Sequence, residues 1–341
     1  MTPIRPIEII GGGLAGLSLG LALRRREVPV TVFEAGDYPR HRVCGEFIAG
    51  LSPRTVEKLG LGPFLQDAPR HRDVAWFHRD GLVRVERLPS PAIGLSRYEL
   101  DARLARAFVE VGGDLRTHMR ATDVSPKDGR VFATGRRPGR SPWLGLKIHV
   151  RKWQSLRGLE MHLGDHAYVG TSAVEGGEVN ICGLFRRLPI RAHGADLLIA
   201  YLNASGLAAL ASRVAAAEPD PASFCAIAAF SFDHRVPRRG QPSVGDACAV
   251  IPPFTGNGMA MAFQSAEAAV EPLAAYAHGE TAWTEACRVI RSSLGRQFRL
   301  RLASAGLIHP YLFNPRRQFW LVALSRARLL PLRPIYAMLH S

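Results

Sequence analysis

Lysine is scarce in this chain, and one end of it has no acidic residue. The formal net charge is +15, yet only four of the 44 basic residues are lysines, namely Lys58, Lys127, Lys147 and Lys152. No Asp or Glu follows Glu285, whereas ten arginines lie between Arg288 and Arg333 among several aromatic residues. An arginine bias can come from a GC-rich genome, but a basic, aromatic tail also suits an anionic membrane surface or an acidic partner. No recognition motif indicates nucleic-acid binding.

Long apolar runs and paired cysteines are also missing. No uninterrupted apolar run reaches the roughly 18 residues of a transmembrane helix, and the start, MTPIRPIEII, lacks the apolar core of a signal peptide. The five cysteines have neither CxxC nor metal-ligand spacing and are Cys44, Cys182, Cys225, Cys248 and Cys287. We therefore expect a cytoplasmic protein, at most peripheral to a membrane, without a metal site or a disulfide framework.

A glycine loop near the start is the first chemical signature. In residues 7–16, IEIIGGGLAG, the spacing of Gly11, Gly13 and Gly16 matches G-x-G-x-x-G between an apolar run and a helix-like segment. A second apolar run ends at Glu34, where a carboxylate binds a ribose hydroxyl in dinucleotide-binding βαβ units. The loop would place pyrophosphate against a helix N-terminus. This pattern predicts a dinucleotide site, although the loop alone leaves both FAD and NAD open.

A second glycine-rich turn, residues 252–258, precedes the helix-like run MAMAFQSAEAAVEPLAAY. No lysine follows its glycines, so it is not a P-loop. A helix N-terminus would instead stabilise the negative charge of a reduced flavin. Asp246, which we expect at the end of a strand, is placed to accept hydrogen bonds from ribityl hydroxyls.

Between these loops the pattern changes to strands. Residues 73–88 alternate about Asp80-Gly81 and predict a β-hairpin, and four strands are predicted from residue 143 onwards, giving a mostly antiparallel sheet. One helix is predicted for residues 195–218 and a further strand for AAFSFDHRV. From about residue 280 we expect helices with breaks near Pro310, Pro315 and Pro331.

The segments GGGLAG, FEAG, RVCGE and GDACAVIPPFTGNGMAMAFQSA, in this order and spacing, resemble the FAD-dependent oxidoreductases related to geranylgeranyl reductases, flavin-dependent halogenases and aromatic hydroxylases. SRYELDARL, VFATG and AYVGTSAVEGGEVNICGLF are similar more loosely, and the last sixty residues are not covered. The resemblance implies an α/β fold (α+β overall). Residues 1–72, 94–140 and 238–341 would form a Rossmann-like FAD-binding domain with C-terminal helices. Residues 73–93 and 141–237 would form an inserted, mostly antiparallel substrate domain.

The resemblance also implies a set of site residues. The expected FAD contacts are Gly11, Gly13, Leu14, Ala15, Gly16, Glu34, Ala35, Arg42, Arg97, Ala133, Thr134, Gly135, Gly245, Asp246, Pro253, Gly256, Asn257, Gly258 and Met259. Candidate proton donors or acceptors are Cys44, Glu46 and Tyr168. The alternative interpretation is that Cys44 is a small packing residue and that Glu46 pairs with a nearby arginine. Strand alternation does not tell which face Tyr168, His149 and His162 occupy.

Departures from the family patterns bear on the reaction. VFATGRRPG lacks the Asp-Gly pair of aromatic hydroxylases, Trp143 stands without the second tryptophan of halogenases, and only Tyr168 remains of the prenyl-reductase pattern. We expect an FAD-dependent oxidoreductase of a hydrophobic or carrier-bound organic intermediate, reduced by NAD(P)H or another donor. Hydroxylation through a flavin C4a-hydroperoxide is slightly favoured over reduction of a C–C double bond. A non-catalytic flavin-binding or membrane-docking protein is a third interpretation.

Overall fold

The computed structural model describes residues 3–120, 125–136, 139, 141–154, 157–228 and 241–340. Within these ranges the strands form two sheets, one of four strands and one of eight. The strands are β1 (Ile7–Ile10), β2 (Val30–Phe33), β3 (Phe47–Ile48), β4 (Arg70–His78), β5 (Gly81–Gly94), β6 (Asp114–Arg116), β7 (Arg130–Phe132), β8 (Trp143–Arg151), β9 (Leu159–Gly164), β10 (Ala167–Ala173), β11 (Val179–Arg186) and β12 (Glu218–Ala228). The helices are α1 (Leu14–Arg24), α2 (Pro53–Leu59), α3 (Gly62–Leu65), α4 (Arg97–Glu110), α5 (Gly194–Ala204), α6 (Ala208–Ala216), α7 (Gly258–Ala277), α8 (Trp283–Phe313), α9 (Pro315–Arg326) and α10 (Leu332–His340).

The four-stranded sheet is parallel and has the order β6-β2-β1-β7. Ser243 extends its β7 edge by a single parallel bridge to Phe132. Apart from the partly buried Phe33, apolar side chains on β1 and β2 are fully or almost fully buried, as is usual for a parallel sheet covered by helices. α1 packs against α4 and α7. This arrangement confirms the predicted Rossmann-like unit.

The eight-stranded sheet has the order β12-β8-β11-β10-β9-β4-β5-β3. Its strand pairs are antiparallel except for β4 and β9, which run parallel. The predicted hairpin is β4–β5, and the four predicted strands are β8 to β11. The mostly antiparallel second sheet is therefore confirmed. Residues Phe47–Ile48, which follow the first βαβ unit closely, also join it.

Helices α5 and α6 cover one face of the eight-stranded sheet and form a second apolar core there. The prediction of one helix over residues 195–218 is wrong. Gly206 has a φ of +71° and interrupts the run, because a left-handed residue ends a helix. The chain from Glu218 is strand β12. The predicted strand AAFSFDHRV lies outside the described residues after Ala228, as does the expected domain boundary at 237/238.

The C-terminal helices α8, α9 and α10 close the fold beside the eight-stranded sheet. The predicted break at Pro310 is wrong, since α8 continues through it to Phe313. Breaks at Pro315 and Pro331 are confirmed. The Asn314 side chain caps α9 by accepting hydrogen bonds from the backbone N–H groups of Arg316 and Arg317. Among the described residues, no helix is both long and apolar enough to cross a membrane.

Candidate functional site

A cavity of about 700 Å³ opens at the carboxyl ends of the parallel strands, and both glycine loops line it. Most of the residues expected to contact FAD are in its wall. These are Gly11, Gly13, Leu14, Ala15, Glu34, Ala35, Arg42, Arg97, Ala133, Thr134, Gly135, Gly245, Asp246, Pro253, Gly256, Gly258 and Met259. The candidate Cys44 also lines it. Gly16, Asn257, Glu46 and Tyr168 do not line it.

The turn from β1 into α1 requires glycine at two positions. Gly11 has a φ of +114°, and a Cβ there would lie 2.2 Å from the Ala133 carbonyl oxygen. A Cβ on Gly16 would lie 2.0 Å from the Gly11 carbonyl oxygen. Gly16 thus acts through close packing of α1 on the turn. The turn leaves the N-terminus of α1 facing the cavity at Gly13. Gly13 is the N-cap residue and has no side chain with which to cap the helix.

Glu34 lies directly after β2 and is held by the glycine loop. Its Oε2 accepts a hydrogen bond of 2.8 Å from the Gly12 N–H, and its Oε1 accepts one of 3.1 Å from the Gly36 N–H. Tyr38 donates a hydrogen bond from its hydroxyl to the Gly12 carbonyl. A Cβ on Gly12 would lie 2.0 Å from that hydroxyl oxygen. A side chain at Gly12 would therefore have to displace the Tyr38 hydroxyl, whereas at Gly11 and Gly16 it would meet backbone.

The second glycine turn places another uncapped helix N-terminus in the same wall. α7 begins at Gly258, and Asn257 gives it no side-chain cap because its amide instead donates a hydrogen bond to the Leu339 carbonyl. Gly256 has a φ of +67°, and a Cβ there would lie 2.0 Å from the Phe47 ring. Around Gly258 a Cβ would meet nothing within 4 Å. The free N–H groups of α7 are thus accessible from the cavity.

Asp246 lies in a short 3-10 turn, residues Gly245–Ala247, after the Ser243 bridge. Its carboxylate is accessible from the cavity, but protein surrounds the cavity. Burial raises the pKa of Asp246, while the charges of Arg136 and Arg97 act in the opposite direction. None of the hydrogen bonds found among the described residues involves this carboxylate. It is therefore available to a bound molecule.

Two arginines in the cavity wall share one buried acidic partner. The Arg97 guanidinium donates two hydrogen bonds, of 2.8 and 2.7 Å, to Asp101, and Arg42 donates one of 3.2 Å to the same carboxylate. Burial lowers the pKa of Arg97, but the Asp101 charge outweighs it and the pKa is raised. Arg97 remains charged, and Asp101 fixes both arginines at the cavity wall.

Glu46 anchors a buried polar network behind the cavity. Its carboxylate is fully buried, 2.5 Å from His149 Nε2 and 3.5 Å from the Lys147 Nζ, and it accepts a 3.0 Å hydrogen bond from the Arg97 N–H. Burial raises the pKa of Glu46, but the His149 hydrogen bond and the Lys147 charge outweigh it, so that the pKa is lowered. His149 Nδ1 is also 3.1 Å from the Glu178 carboxylate. Both ring nitrogens of His149 therefore face carboxylate oxygens.

This network reaches the cavity at His41. Lys147 Nζ lies 2.9 Å from His41 Nδ1, and the His41 ring stacks on Tyr98 at 4.4 Å. Burial and the neighbouring Lys147 lower the pKa of His41 to about 4. His41 therefore accepts the lysine hydrogen bond as a neutral ring and forms part of the cavity wall.

The other candidate proton groups are placed differently. Cys44 faces the cavity, and burial raises the pKa of its thiol. Tyr168 is buried in an aromatic cluster, with its ring centroid 5.0 Å from that of Phe313. His162 is buried against the Glu160 carboxylate at 3.0 Å and stacks on Phe77. The structure thus places Cys44 in the cavity wall and Glu46 behind that wall. Tyr168 and His162 do not line the cavity.

A second cavity, of about 530 Å³, is apolar and lies between the eight-stranded sheet and helices α8 to α10. Strand residues Trp76, Leu159, Met161 and Leu163 and helix residues such as Ile308 line it. Phe47 lines both cavities, and the turn at Phe254 and Thr255 also borders the apolar one. The first cavity, which has charged residues such as Glu34, Arg97 and Asp246 in its wall and is called the polar cavity below, thus shares one wall with the apolar cavity.

Sequence reasoning missed several residues of this site, including Gly12, Tyr38, His41, Asp101 and Lys147. Only Lys147 had a usable signal. It is one of four lysines in the chain and stands in the strand LGLKIHV, where an ammonium group is out of place unless it is paired.

Comparison with known proteins finds matches to the region of the first glycine loop. Residues 9–57 match the family of NAD(P)-binding Rossmann-like domains. A menaquinone reductase of Mycobacterium tuberculosis is 30% identical over 131 residues, which cover 36% of this chain and 31% of that protein. The match therefore spans about a third of the curated relative. A menaquinone reductase of Mycolicibacterium smegmatis is 27% identical over 135 residues.

Solved structures are similar over nearly the whole chain. Klebsiella pneumoniae HpxO, complexed with FAD and uric acid, has a TM-score of 0.77 at 16% identity and covers 98% of this chain and 96% of its own. The flavin-dependent brominase Bmp2 has a TM-score of 0.76 at 17% identity, over 98% of this chain and 93% of its own. Residues 9–57 thus resemble an NAD(P)-binding Rossmann-like domain, and the chain has, over nearly its whole length, the fold of these two solved structures.

Proposed function

We propose that this chain is an FAD-dependent oxidoreductase that holds FAD in the polar cavity and an apolar substrate in the neighbouring one. The observation that carries the proposal is the convergence of two glycine turns and two uncapped helix N-termini on a single cavity. A mononucleotide needs one such turn. A molecule with a pyrophosphate and a second electron-rich group uses both.

The described residues fit FAD. The backbone of Gly135 and Gly258 is open to the cavity, since a Cβ on either would meet nothing within 4 Å. Glu34 is placed to accept hydrogen bonds from the adenosine ribose, and the α1 N-terminus with Arg42 and Arg97 to bind the pyrophosphate. Asp246 would bind the ribityl chain, and the α7 N-terminus would face the negative edge of the ring system.

FAD, when bound, would supply the redox chemistry, and the protein would supply position, exclusion of water and protons. The apolar lining beside Phe47 favours a hydrophobic organic substrate. Cys44, whose thiol is kept protonated by burial, is a proton donor in the cavity wall. His41 is the cavity-facing end of the Glu46 network; burial and Lys147 keep its ring neutral, and with Nδ1 accepting from Lys147 its other ring nitrogen is a hydrogen-bond donor.

For the reaction, we favour oxygenation with NAD(P)H as electron donor. The similar solved structures support this choice, since they include PqsL of Pseudomonas aeruginosa, described as a probable FAD-dependent monooxygenase. Reduction of a C–C double bond is the second candidate. It is supported by the likeness to menaquinone reductases and by the size of the apolar cavity. We also propose that residues 73–93 and 141–237, which contain most of the eight-stranded sheet, form the substrate domain, that helices α8 to α10 belong to the FAD-binding domain, and that the protein acts in the cytoplasm.

The cofactor is tested first. Purified protein should be yellow, and the heat-released supernatant should contain FAD. A colourless protein that FAD does not reconstitute would remove the proposal. The reaction is then tested by reducing the enzyme anaerobically and adding a panel of apolar substrates that includes a menaquinone. Product that forms only after oxygen is admitted supports oxygenation. Product that forms without oxygen contradicts oxygenation and supports reduction of a C–C double bond.

A further inference from the structure

The outward faces of α8 and α9 expose large apolar side chains. Phe319 and Trp320 on α9 are 62% and 64% exposed, and their ring centroids lie 5.6 Å apart. Leu307 on α8 and Leu329 just after α9 are 75% and 69% exposed. Single exposed apolar residues are ordinary, but a group of this size marks a surface that meets another apolar phase.

The same surface is positively charged. Arg316, Arg317, Arg326 and Arg328 are all exposed, and no acidic residue follows Glu285 in the sequence. The Arg317 guanidinium lies over the Tyr311 ring at 5.2 Å, which joins the end of α8 to the start of α9 in one face. Arginines around apolar and aromatic side chains complement anionic lipid headgroups above an acyl layer.

The apolar cavity opens towards this face. Leu307 and Tyr311 are exposed and also line the cavity, as does Arg333 after the start of α10. Leu321 of α9 lines the cavity, whereas the neighbouring Phe319 and Trp320 do not. One layer of helices therefore has an inner side that encloses the apolar cavity and an outer side that is apolar and basic.

We propose that this outer side, the docking face of Leu307, Tyr311, Phe319, Trp320 and Leu329 with the surrounding arginines, binds the surface of an anionic lipid bilayer. Tryptophan and tyrosine favour the interface between headgroups and acyl chains, which an acidic protein surface does not offer. An apolar molecule dissolved in the bilayer would then enter the cavity between α8 and α10. Docking is independent of the proposed oxidoreductase function, whereas substrate delivery rests on it.

Cosedimentation with vesicles tests the docking. The full chain is mixed with vesicles of phosphatidylcholine alone or of phosphatidylcholine with phosphatidylglycerol. We expect binding to the anionic vesicles that weakens as salt is raised, and much weaker binding to the neutral ones. The double variant Phe319→Ser/Trp320→Ser should bind at least about tenfold more weakly, because it removes the residues that enter the acyl layer. Val109→Ser is the matched control, since Val109 is 52% exposed on α4 and outside the docking face.

Three results would overturn the proposal. The wild-type chain could stay in the supernatant with anionic vesicles at low salt, or the double variant could bind as tightly as Val109→Ser. Light scattering without lipid could show a dimer that the double variant abolishes, which would assign the face to a second copy of the chain. FAD content and turnover of a detergent-dissolved substrate should be the same in the double variant and the wild type. If neither the wild type nor the double variant contained FAD or turned over substrate, the proposed function would be contradicted. The vesicle result would still test the docking.

Discussion

Substitution of Glu46 by glutamine should strongly destabilise the folded chain. The carboxylate is fully buried and is the nearest counter-charge to Lys147, which is also fully buried. Glutamine has nearly the same shape but no charge, and its NH₂ group would face N–H donors of His149 or Lys147. Removing one partner of a buried ion pair costs about 3–5 kcal/mol, since the other charge is left uncompensated. We expect a loss of that size in the free energy of unfolding.

A second substitution should restore part of this loss. Lys147→Met keeps the length of the side chain and removes the charge that Glu46→Gln leaves unpaired. In the double variant the lost stability should therefore be smaller than the sum of the two single losses, with a coupling of about 1–3 kcal/mol. Replacing a whole buried pair by apolar groups is often nearly neutral.

Urea unfolding followed by circular dichroism measures both effects through the shift of the midpoint. Glu285→Gln is the matched control, because Glu285 pairs with Arg288 on the surface of α8 and this change should leave the midpoint almost unmoved. If Glu46→Gln shifts the midpoint no more than the control does, the cluster of Glu46 and Lys147 does not stabilise the fold as a charge pair.

The same network predicts a pH dependence. The pKa of Glu46 is lowered in the folded chain from its ordinary value of 4.5. Its contribution is therefore fully present above about pH 4.5 and decreases as the pH falls towards the folded-state pKa. The stability difference between wild type and Glu46→Gln should shrink below about pH 4.5. A difference that grows on acidification would refute the ion-pair explanation.

Three further outcomes are expected. Asp246→Ala should weaken FAD binding by about tenfold to a hundredfold, the usual value of hydrogen bonds to a charged group, without lowering the melting temperature of the apoprotein; unchanged affinity in a fluorescence titration would mean that Asp246 does not contact the cofactor. Gly16→Ala puts a Cβ 2.0 Å from the Gly11 carbonyl oxygen and should abolish FAD retention, whereas Gly62→Ala, with nothing within 4 Å, should retain it. Leu321→Asn, in the wall of the apolar cavity, should raise KM in steady-state assays while FAD content stays constant; an unchanged KM would place the substrate elsewhere.

The first βαβ unit could be predicted from sequence because its determinants are local. Gly16 is needed because α1 packs on the Gly11 carbonyl within a single turn, and the apolar runs before and after the glycines fix β1 and β2. The close approach of Gly11 to the Ala133 carbonyl is a long-range contact that only the fold shows. Six strands of the second sheet, β4, β5 and β8 to β11, were also predictable, since alternation and turn residues act over a few positions, whereas β3 and β12 were not predicted. The same local reasoning failed at Gly206, where one left-handed glycine divides a run that composition favours as a single helix. It failed again at Pro310, which α8 accommodates near its C-terminal end.

The sequence by itself determined the Rossmann-like start and the second glycine turn, and it marked Asp246 as the carboxylate between them. Only the tertiary structure showed that both turns line one cavity and that Phe47 also borders an apolar one. It also decided that Glu46 faces Lys147 and His149, which are about a hundred positions away in the chain. The physical reason is that turns and alternation depend on neighbouring residues. Pairing of buried charges and the shape of a cavity depend on which strands and helices meet, and no local pattern encodes that.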